Sequence, residues 1–309
     1  MALFRLLNIV VDVDSCKKWL WDKELLIRPG SKCSHCRQSK LTEVRRAKDR
    51  TDPSDDGGKL RCSNCRKECS IRAHSFFAGS QLGLPALVGL LFLFAYRAPI
   101  GFVESMLDGA VSSRTALEWF SVFRQVCSRW LLANPMRLGG PGCIVEVDDC
   151  LIKRGKRKSD GERASGQWVF GAWDRRLAKG MIWTVDDSRS SDSLLPIIKE
   201  HVLPGSIIYS NGSPAYESLP DEGYHHDSVG RGCGFVTSND YGVDVHLNSI
   251  KGWWSKLKTD LRKMRRVGVN SLPQHLDEVM YRQHRGDGDM VDYLCEDIAK
   301  FYPLPTQIP

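Results

Sequence analysis

Two Cys-x-x-Cys units stand 25 residues apart near the start of the chain, at residues 33–36 and 62–65. A two-residue spacer lets one tight turn offer two thiolates to the same ion, and four thiolates in a tetrahedron are a typical ligand set of structural zinc. The separation exceeds the usual spacing of about 15–20 residues, and the solvated DPSDDGG loop at 52–58 accounts for the excess. The sequence therefore predicts a zinc ribbon with the ligands Cys33, Cys36, Cys62 and Cys65.

Basic residues accompany these cysteines. A metal-held basic hairpin is a suitable surface for the phosphates of DNA. A zinc site that only staples a small domain, or that binds other proteins, stays open as an alternative. The basic residues are Arg37, Lys40, Arg45, Arg46, Lys48, Arg50, Arg61, Arg66 and Lys67.

Composition sets the class of protein. Of 309 residues, 42% are apolar and 26% charged, which excludes a mainly disordered chain and suggests about two domains. Eleven cysteines, an odd number, and no signal-peptide pattern favour a reducing compartment over secretion. The net charge of +7 permits a nucleic-acid partner without requiring one.

The most apolar stretch, residues 82–96, is shorter than the roughly 20 residues that cross a bilayer. It predicts a buried core helix and no membrane partner. The helix expected at 113–131, with a helix before it and a turn at Gly109, resembles a helix-turn-helix; a plain helical packing module is the alternative. Its groove-facing side would offer Arg114, Glu118, Arg124 and Arg129.

The chain divides by pattern into four segments. These are a zinc-ribbon region at 1–80, a helical module at 81–140, an α/β domain at 141–285 and a loosely held tail with one short helix at 286–309. In the third segment, strands are expected at 143–149, 167–174, 180–187 and 206–212, and helices at 190–202, from Ser213, at 246–265 and at 272–284. This order predicts a mixed sheet flanked by helices.

The first of these strands ends in acids. Alternation places Glu146 and Asp148 on one face and Asp149 on the other. Hard cations such as Mg²⁺ take carboxylate oxygens, but an acidic strand end is also common as a solvated edge.

Several motifs follow in order, namely VEVDDCLI, GQWVFGAWDR, SIIYSNGSPAYESL, GYHHDSV and VHLNSIKGWWSKLKTDLR. In this order they resemble the catalytic domain of Merlin-type transposases and their bacterial insertion-sequence relatives, a branch of the DDE superfamily. The zinc knuckles, and RAHSFFAGSQLGL after them, also resemble the N-terminal region of that family, so that the resemblance covers most of residues 30–285. It implies an RNase H-like fold and descent from an enzyme that cuts and joins DNA, and it implies homo-oligomers.

The resemblance also implies site residues. Asp148 stands at the family's first catalytic Asp, but Asn211 replaces the second Asp in Tyr-x-Asp-Gly. In the family's helix motif Asn248 is kept, and Lys251 stands where Glu is usual. Lys258 matches a family lysine. Since two Mg²⁺ ions bring four positive charges, we expect one remaining carboxylate to leave phosphoryl transfer severely reduced or absent, with rescue by Asp149, Asp186 or Asp187 as an alternative.

Two basic stretches suit binding to double-stranded DNA. One is Lys153, Arg154, Lys156, Arg157 and Lys158, which is also a candidate nuclear-import signal; the other is on the predicted helix at 246–265, with Lys256, Lys258, Arg262 and Lys263. Trp253 and Trp254 are expected in the core and at its rim, with base stacking as the alternative.

The sequence therefore predicts a transposase-derived DNA-binding protein without cleavage activity, nuclear in a eukaryote and cytoplasmic or nucleoid-associated in a bacterium. A working transposase that uses Mg²⁺ is the first alternative. A zinc-ribbon protein-interaction module is the second.

Overall fold

The structure is a computed structural model that describes residues 2–45, 56, 58–153, 166–229, 236–238, 242, 244–264 and 267–305. The chain forms two compact units. The first comprises Met1–Arg129 and Asp287–Pro309, and the second comprises Trp130–Gly286.

The first unit is built around an apolar helix. Its helices are α1 (Ala2–Val10), α2 (Val13–Asp22), α3 (Leu84–Ala95), α4 (Ile100–Met106), α5 (Ser113–Ala133, whose last four residues belong to the second unit) and the last helix of the chain, α9 (Met290–Phe301). Ten of the twelve residues of α3 are buried, so the predicted core helix is confirmed. Across the described residues, no helix combines the length and apolarity needed to cross a membrane.

A small antiparallel sheet follows α2. It consists of β1 (Leu41–Arg45), β2 (Gly58–Cys62) and β3 (Glu68–Ser70) in that order. Leu41 of β1 and Leu60 of β2 are buried. Arg72 then donates from Nε and Nη2 to the carboxylate of Asp56 at 2.5 and 2.6 Å, and both side chains are buried. This two-pronged ion pair ties Asp56 to the chain that follows the sheet.

The helices α4 and α5 are joined by a turn with left-handed backbone at Asp108 and Gly109. The hydroxyl of Ser112 accepts from the N–H of Thr115 at 3.2 Å and caps α5. The expectation that Arg124 faces a DNA groove is wrong. Arg124 is buried, with its guanidinium 5.8 Å from the ring centroid of Phe94, because it lies on the apolar side of α5.

The C-terminal segment is packed within the first unit. Asp289 caps α9 by accepting from the N–H of Val291 at 2.8 Å, and Leu294 and Ile298 are buried. Leu304, beyond the helix, is also buried. The short helix expected in this segment is therefore present, and burial extends past its end.

The second unit contains a mixed five-stranded sheet. Its strands are β5 (Ile144–Lys153), β6 (Gln167–Asp174), β7 (Lys179–Val185), β9 (Ile207–Ser210) and β10 (His225–Ser228). The spatial order is β10-β9-β5-β6-β7. β5, β6 and β7 are antiparallel neighbours, whereas β9 runs parallel to both β5 and β10. The predicted mixed sheet is confirmed, while β10 was not anticipated as a strand.

Helices pack on this sheet. They are α6 (Ser191–His201), α7 (Asn248–Met264) and α8 (Leu272–Arg285). The unit also contains two small strand pairs. These are β4 (Leu138–Gly139) with β8 (Val202–Leu203), and β11 (Val236–Ser238) with β12 (Asp244–His246). The helix expected from Ser213 is wrong. Two short 3-10 turns, Pro214–Tyr216 and Pro220–Glu222, stand there, since a proline opens each and Gly223 ends the second in left-handed backbone.

Two indole rings fit α7 against the sheet. Trp253 and Trp254 are buried, with ring centroids 5.5 Å apart. A Cβ atom at Gly171 would overlap the ring of Trp254, and a Cβ at Gly180 would overlap that of Trp253. The strands therefore receive the rings only because they lack side chains at these two points. The prediction that both tryptophans pack in the core or at its rim is confirmed.

Candidate functional site

Strand register brings Asp148 and Asn211 together. In the parallel pair of β5 and β9, Val145 lies opposite Ile208 and Glu146 opposite Tyr209. Two residues further on, the same register places Asp148 beside Asn211, which directly follows β9. The acidic motif of β5 and the Asn211 motif after β9, which are far apart in the sequence, therefore form one cluster at the carboxyl end of β9.

The Asn211 side chain faces two carboxylates. Its Nδ2 donates to Oδ1 of Asp148 at 3.1 Å and to Oδ1 of Asp149 at 3.2 Å. Its own Oδ1 accepts from the N–H of Ser213 at 3.1 Å. Because that N–H can only donate, it fixes the amide so that the NH₂ group, not the oxygen, points at the acids.

Asp149 has a second partner, Arg189, from the loop after β7. Nη1 of Arg189 lies 2.6 Å from Oδ2 of Asp149. The same guanidinium lies 3.8 Å from the ring centroid of Trp168. Sequence reasoning missed Arg189, and no local pattern indicates it, because the contact depends on how the loop of residues 186–190 folds back over β5.

Helix α7 covers the other side of Asp148. The indole Nε1 of Trp254 donates to Oδ2 of Asp148 at 3.2 Å. Burial, together with the charge of Asp149, raises the pKa of Asp148 to about 6, although the Trp254 hydrogen bond and the positive charge of Lys251 oppose the shift. The structure thus places Lys251 within electrostatic reach of the carboxylate.

Glu146 holds the beginning of α7. This fully buried residue accepts from Nε of Arg175 at 2.6 Å and from the N–H of Ile250, in the first turn of α7, at 2.8 Å. Nη2 of Arg175 reaches Nδ1 and the carbonyl of His246, both at 2.8 Å. Glu146 and Asp148 therefore both contact α7, as expected for one face of a strand, and Glu146 acts as an anchor for the helix.

The other site candidates lie along α7. Asn248 begins the helix and is exposed, and its N–H donates to Nδ1 of His246 at 3.4 Å. Lys258 hydrogen-bonds to the thiol of Cys150 and opposes the burial that raises the pKa of that thiol. The exposed cations are Lys256, Arg262 and Lys263 on α7, and Lys153 at the end of β5. Arg154, Lys156, Arg157 and Lys158 lie outside the described residues.

In the first unit, the four cysteines of the two Cys-x-x-Cys units converge. Their Sγ atoms all lie within 4.8 Å of one another, with 3.8 Å between Cys33 and Cys65 and 3.5 Å between Cys36 and Cys62. A tetrahedral ion with metal–sulfur bonds of about 2.3 Å would place its sulfurs about 3.8 Å apart. The cluster could therefore hold a metal ion such as zinc, through all four predicted ligands.

Hydrogen bonds prepare this cluster for a metal. The Ser39 hydroxyl and the N–H of Cys65 lower the pKa of the Cys62 thiol to about 6, which favours its thiolate form. Asn64 joins the two cysteine loops, since its Nδ2 donates to Oε1 of Gln38 at 2.9 Å and its N–H to the Ser39 hydroxyl at 3.2 Å. A thiolate, not a thiol, is the ligand that a metal requires.

Comparison with known proteins identifies the class. Residues 137–284 match the model of the ISXO2-like transposase domain. Over 92 residues, the chain is 28% identical to an uncharacterized transposase-like protein of Haemophilus influenzae. The aligned segment covers 30% of this chain and 71% of that protein. Residues 137–284 are therefore similar to a transposase domain of the DDE insertion-sequence type, and the resemblance in the motifs of this segment is confirmed.

Proposed function

We propose that this protein is a transposase-derived DNA-binding protein that holds double-stranded DNA without cutting it. The observation that carries the proposal is the orientation of Asn211, which offers hydrogen-bond donors to Asp148 and Asp149. An Asp at this position would place a third carboxylate against these two, and that arrangement requires cations. An Asn satisfies the two acids without any ion.

The charge balance of the cluster points the same way. Asp148 and Asp149 bring two negative charges, and Arg189 and Lys251 bring two positive charges. A pair of Mg²⁺ ions would add four more positive charges to a cluster that is already neutral. Since divalent cations bind where carboxylates outnumber local cations, we infer that this cluster has little affinity for them.

The sheet supports an RNase H-like assignment for the second unit. Three antiparallel strands, β5 to β7, are followed by two strands that run parallel to β5, in the order β7-β6-β5-β9-β10. Asp148 lies on the central strand and Asn211 directly after its parallel neighbour. These are the positions that the family resemblance gives to the first two site residues.

Basic surfaces supply the DNA affinity in this proposal. Lys256, Arg262 and Lys263 are exposed on α7, opposite the face that packs on the sheet. The cysteine cluster, loaded with Zn²⁺, would hold the basic ribbon in shape. Each Lys or Arg that neutralises a phosphate adds a salt-dependent contribution to the affinity.

The proposal is tested by a gel-shift titration of duplex DNA in rising NaCl, with EDTA or with Mg²⁺, alongside nicking of supercoiled plasmid. We expect binding that weakens with salt, requires no added divalent metal, and is accompanied by no nicking. The variant K256Q/K263Q should lower the slope of log affinity against log salt by up to about 2, at about 0.9 for each contact. The matched control K18Q/K300Q removes two exposed lysines of the first unit and should leave the slope unchanged.

Three outcomes would contradict the proposal. Metal-dependent nicking that is lost in D148N would establish a working transposase. A protein that captures a partner protein but has no DNA affinity at low salt would establish an interaction module. Equal effects of the two double variants would remove α7 from the DNA-binding surface.

A further inference from the structure

The two cysteine loops of the ribbon end in the same way. Arg37 directly follows Cys36, and Arg66 directly follows Cys65. Both arginines have left-handed backbone, with φ of 56° and 57°. The N–H of Arg37 donates to the carbonyl of Cys33 at 2.9 Å, and that of Arg66 to the carbonyl of Cys62 at 3.0 Å. Arg37 and Arg66 thus occupy equivalent positions in two copies of one turn.

Glycine is the residue that this turn favours. With no Cβ atom, glycine adopts positive φ freely, whereas residues with side chains adopt it at a cost. Packing of the side chain does not offset that cost at either arginine, since both are exposed. Both side chains are therefore accessible to a ligand outside the chain, and, unlike Arg97, both stand on the two cysteine loops.

The two turns lie against one another. Gln38, next to Arg37, accepts from Asn64, which is two residues before Arg66, at 2.9 Å. The backbone that carries each arginine is therefore fixed relative to the other by the thiolate cluster and by this bridge. Two guanidinium groups on a rigid base suit the oxygens of phosphodiester groups, which arginine binds through paired hydrogen bonds.

We propose that Arg37 and Arg66 form a paired phosphodiester contact, through which the ribbon binds the backbone of duplex DNA. This inference rests on the proposed function and adds to it a defined site in the first unit. It predicts contact with phosphates and no reading of base sequence by these two residues.

The test compares R37G/R66G with R97G. Arg97 is a third exposed arginine with left-handed backbone, φ 56°, and it lies outside the ribbon. For each variant, DNA affinity is measured against NaCl concentration, the urea midpoint by circular dichroism, and zinc per chain by a chromogenic chelator. In R37G/R66G we expect affinity to fall on the order of 10-fold to 100-fold at 0.1 M salt, with the salt slope reduced by about 1.8. The urea midpoint should be equal or higher, and zinc content unchanged.

The conservative variant R37K/R66K should keep most of the salt slope, since it keeps both charges. Loss of zinc in R37G/R66G would overturn the inference, because the arginines would then serve to offset the charge of the four thiolates. Unchanged DNA affinity in R37G/R66G, from a wild-type protein that binds DNA, would overturn this inference and leave the proposed function intact. A wild-type protein without DNA affinity would overturn both.

Discussion

The guanidinium of Arg189 lies 2.6 Å from the carboxylate of Asp149, although 40 residues separate the two in the chain. The pair is partly buried, with 35% of the Arg189 side chain and 12% of the Asp149 side chain exposed. In the proposed function this guanidinium balances a charge that a metal ion would otherwise balance. In that proposal, Arg189 adds to the hydrogen bonds by which Asn211 satisfies the two acids without an ion.

Removal of this cation should destabilise the second unit. We expect R189Q to lower the free energy of unfolding by about 1–2 kcal/mol, between the values typical of exposed and of buried ion pairs. Urea unfolding followed by tryptophan fluorescence measures the change. In the D149N background the same substitution should cost clearly less, since its partner is gone. Equal costs in both backgrounds would mean that Arg189 acts through Trp168 alone.

Restoring acids should restore a need for metal. We expect N211D/K251E to melt at a lower temperature than wild type in EDTA, because three or four carboxylates then face one another. Mn²⁺ at 100 times its dissociation constant should add about 2.7 kcal/mol, or about 5–10 °C in Tm. Differential scanning fluorimetry measures this shift. N211S/K251Q, which adds no acid, is the control, and a similar Mn²⁺ shift in wild type would contradict the charge argument.

The pKa of Asp148 gives a pH dependence of known sign. An unfolded Asp titrates near pH 3.9, whereas folding raises the pKa of Asp148 to about 6. Between these values the folded state binds more protons, so the contribution of Asp148 to stability falls as pH rises from about 4 to 6. Relative to D148N, wild type should lose on the order of 2–3 kcal/mol over this window. Urea unfolding of both proteins at pH 4 and pH 7 measures it, and a difference of opposite sign would contradict the assignment.

The ribbon should depend on its metal. We expect C62S to retain little zinc and to become sensitive to protease in the segment 30–70, because a three-thiolate site binds zinc less tightly than a closed tetrahedron. Cys69 lies on β3, outside the four-cysteine cluster, so C69S is the matched control and should keep its zinc. Zinc analysis after gel filtration, followed by limited trypsin digestion, separates the two. Equal zinc loss in both variants would refute the assigned ligand set.

The fit of Trp254 against β6 can be tested at a single atom. A methyl group at Gly171 would overlap the indole, so G171A should lower the free energy of unfolding by about 1–3 kcal/mol. Gly252, within α7 itself, has open space where its Cβ would stand, and G252A should raise stability by about 0.5–1 kcal/mol. Opposite signs in chemical unfolding are therefore expected for the same chemical change. A neutral G171A would show that the helix can shift away from the sheet.

Much of the sheet could be predicted from alternation and turn residues. The strand Gln167–Asp174 has the bounds that its sequence indicated, since apolar residues at both faces and a short basic turn define it. The face shared by Glu146 and Asp148 also followed from the period of two. β10 was not predicted because its sequence, HHDS, is polar. Its strand conformation comes from pairing with β9 and not from its own propensity.

The site could be predicted only in part. Motif order indicated Asp148, Asn211 and Lys251, but not which group of Asn211 faces the acids, because that depends on the N–H of Ser213 in three dimensions. Arg189 and Arg124 both show that the sequence does not tell which arginine side chains are exposed and which take part in a site. A loop arginine became part of the site through a fold-back contact, and a helix arginine expected at a surface was buried against Phe94.

The rings of Trp253 and Trp254 pack directly over Gly180 and Gly171 of the sheet. A rotation or translation of α7 would therefore bring the rings into collision with neighbouring side chains. Residue 251, one turn of the same helix away from Trp254, is thereby kept at a constant distance from Asp148 whatever side chain it carries. A Lys-to-Glu change there alters the charge near Asp148 by two units without removing a packing contact of either tryptophan. The backbone geometry at this position is thus set by the packing of the two tryptophans and not by the charge of residue 251.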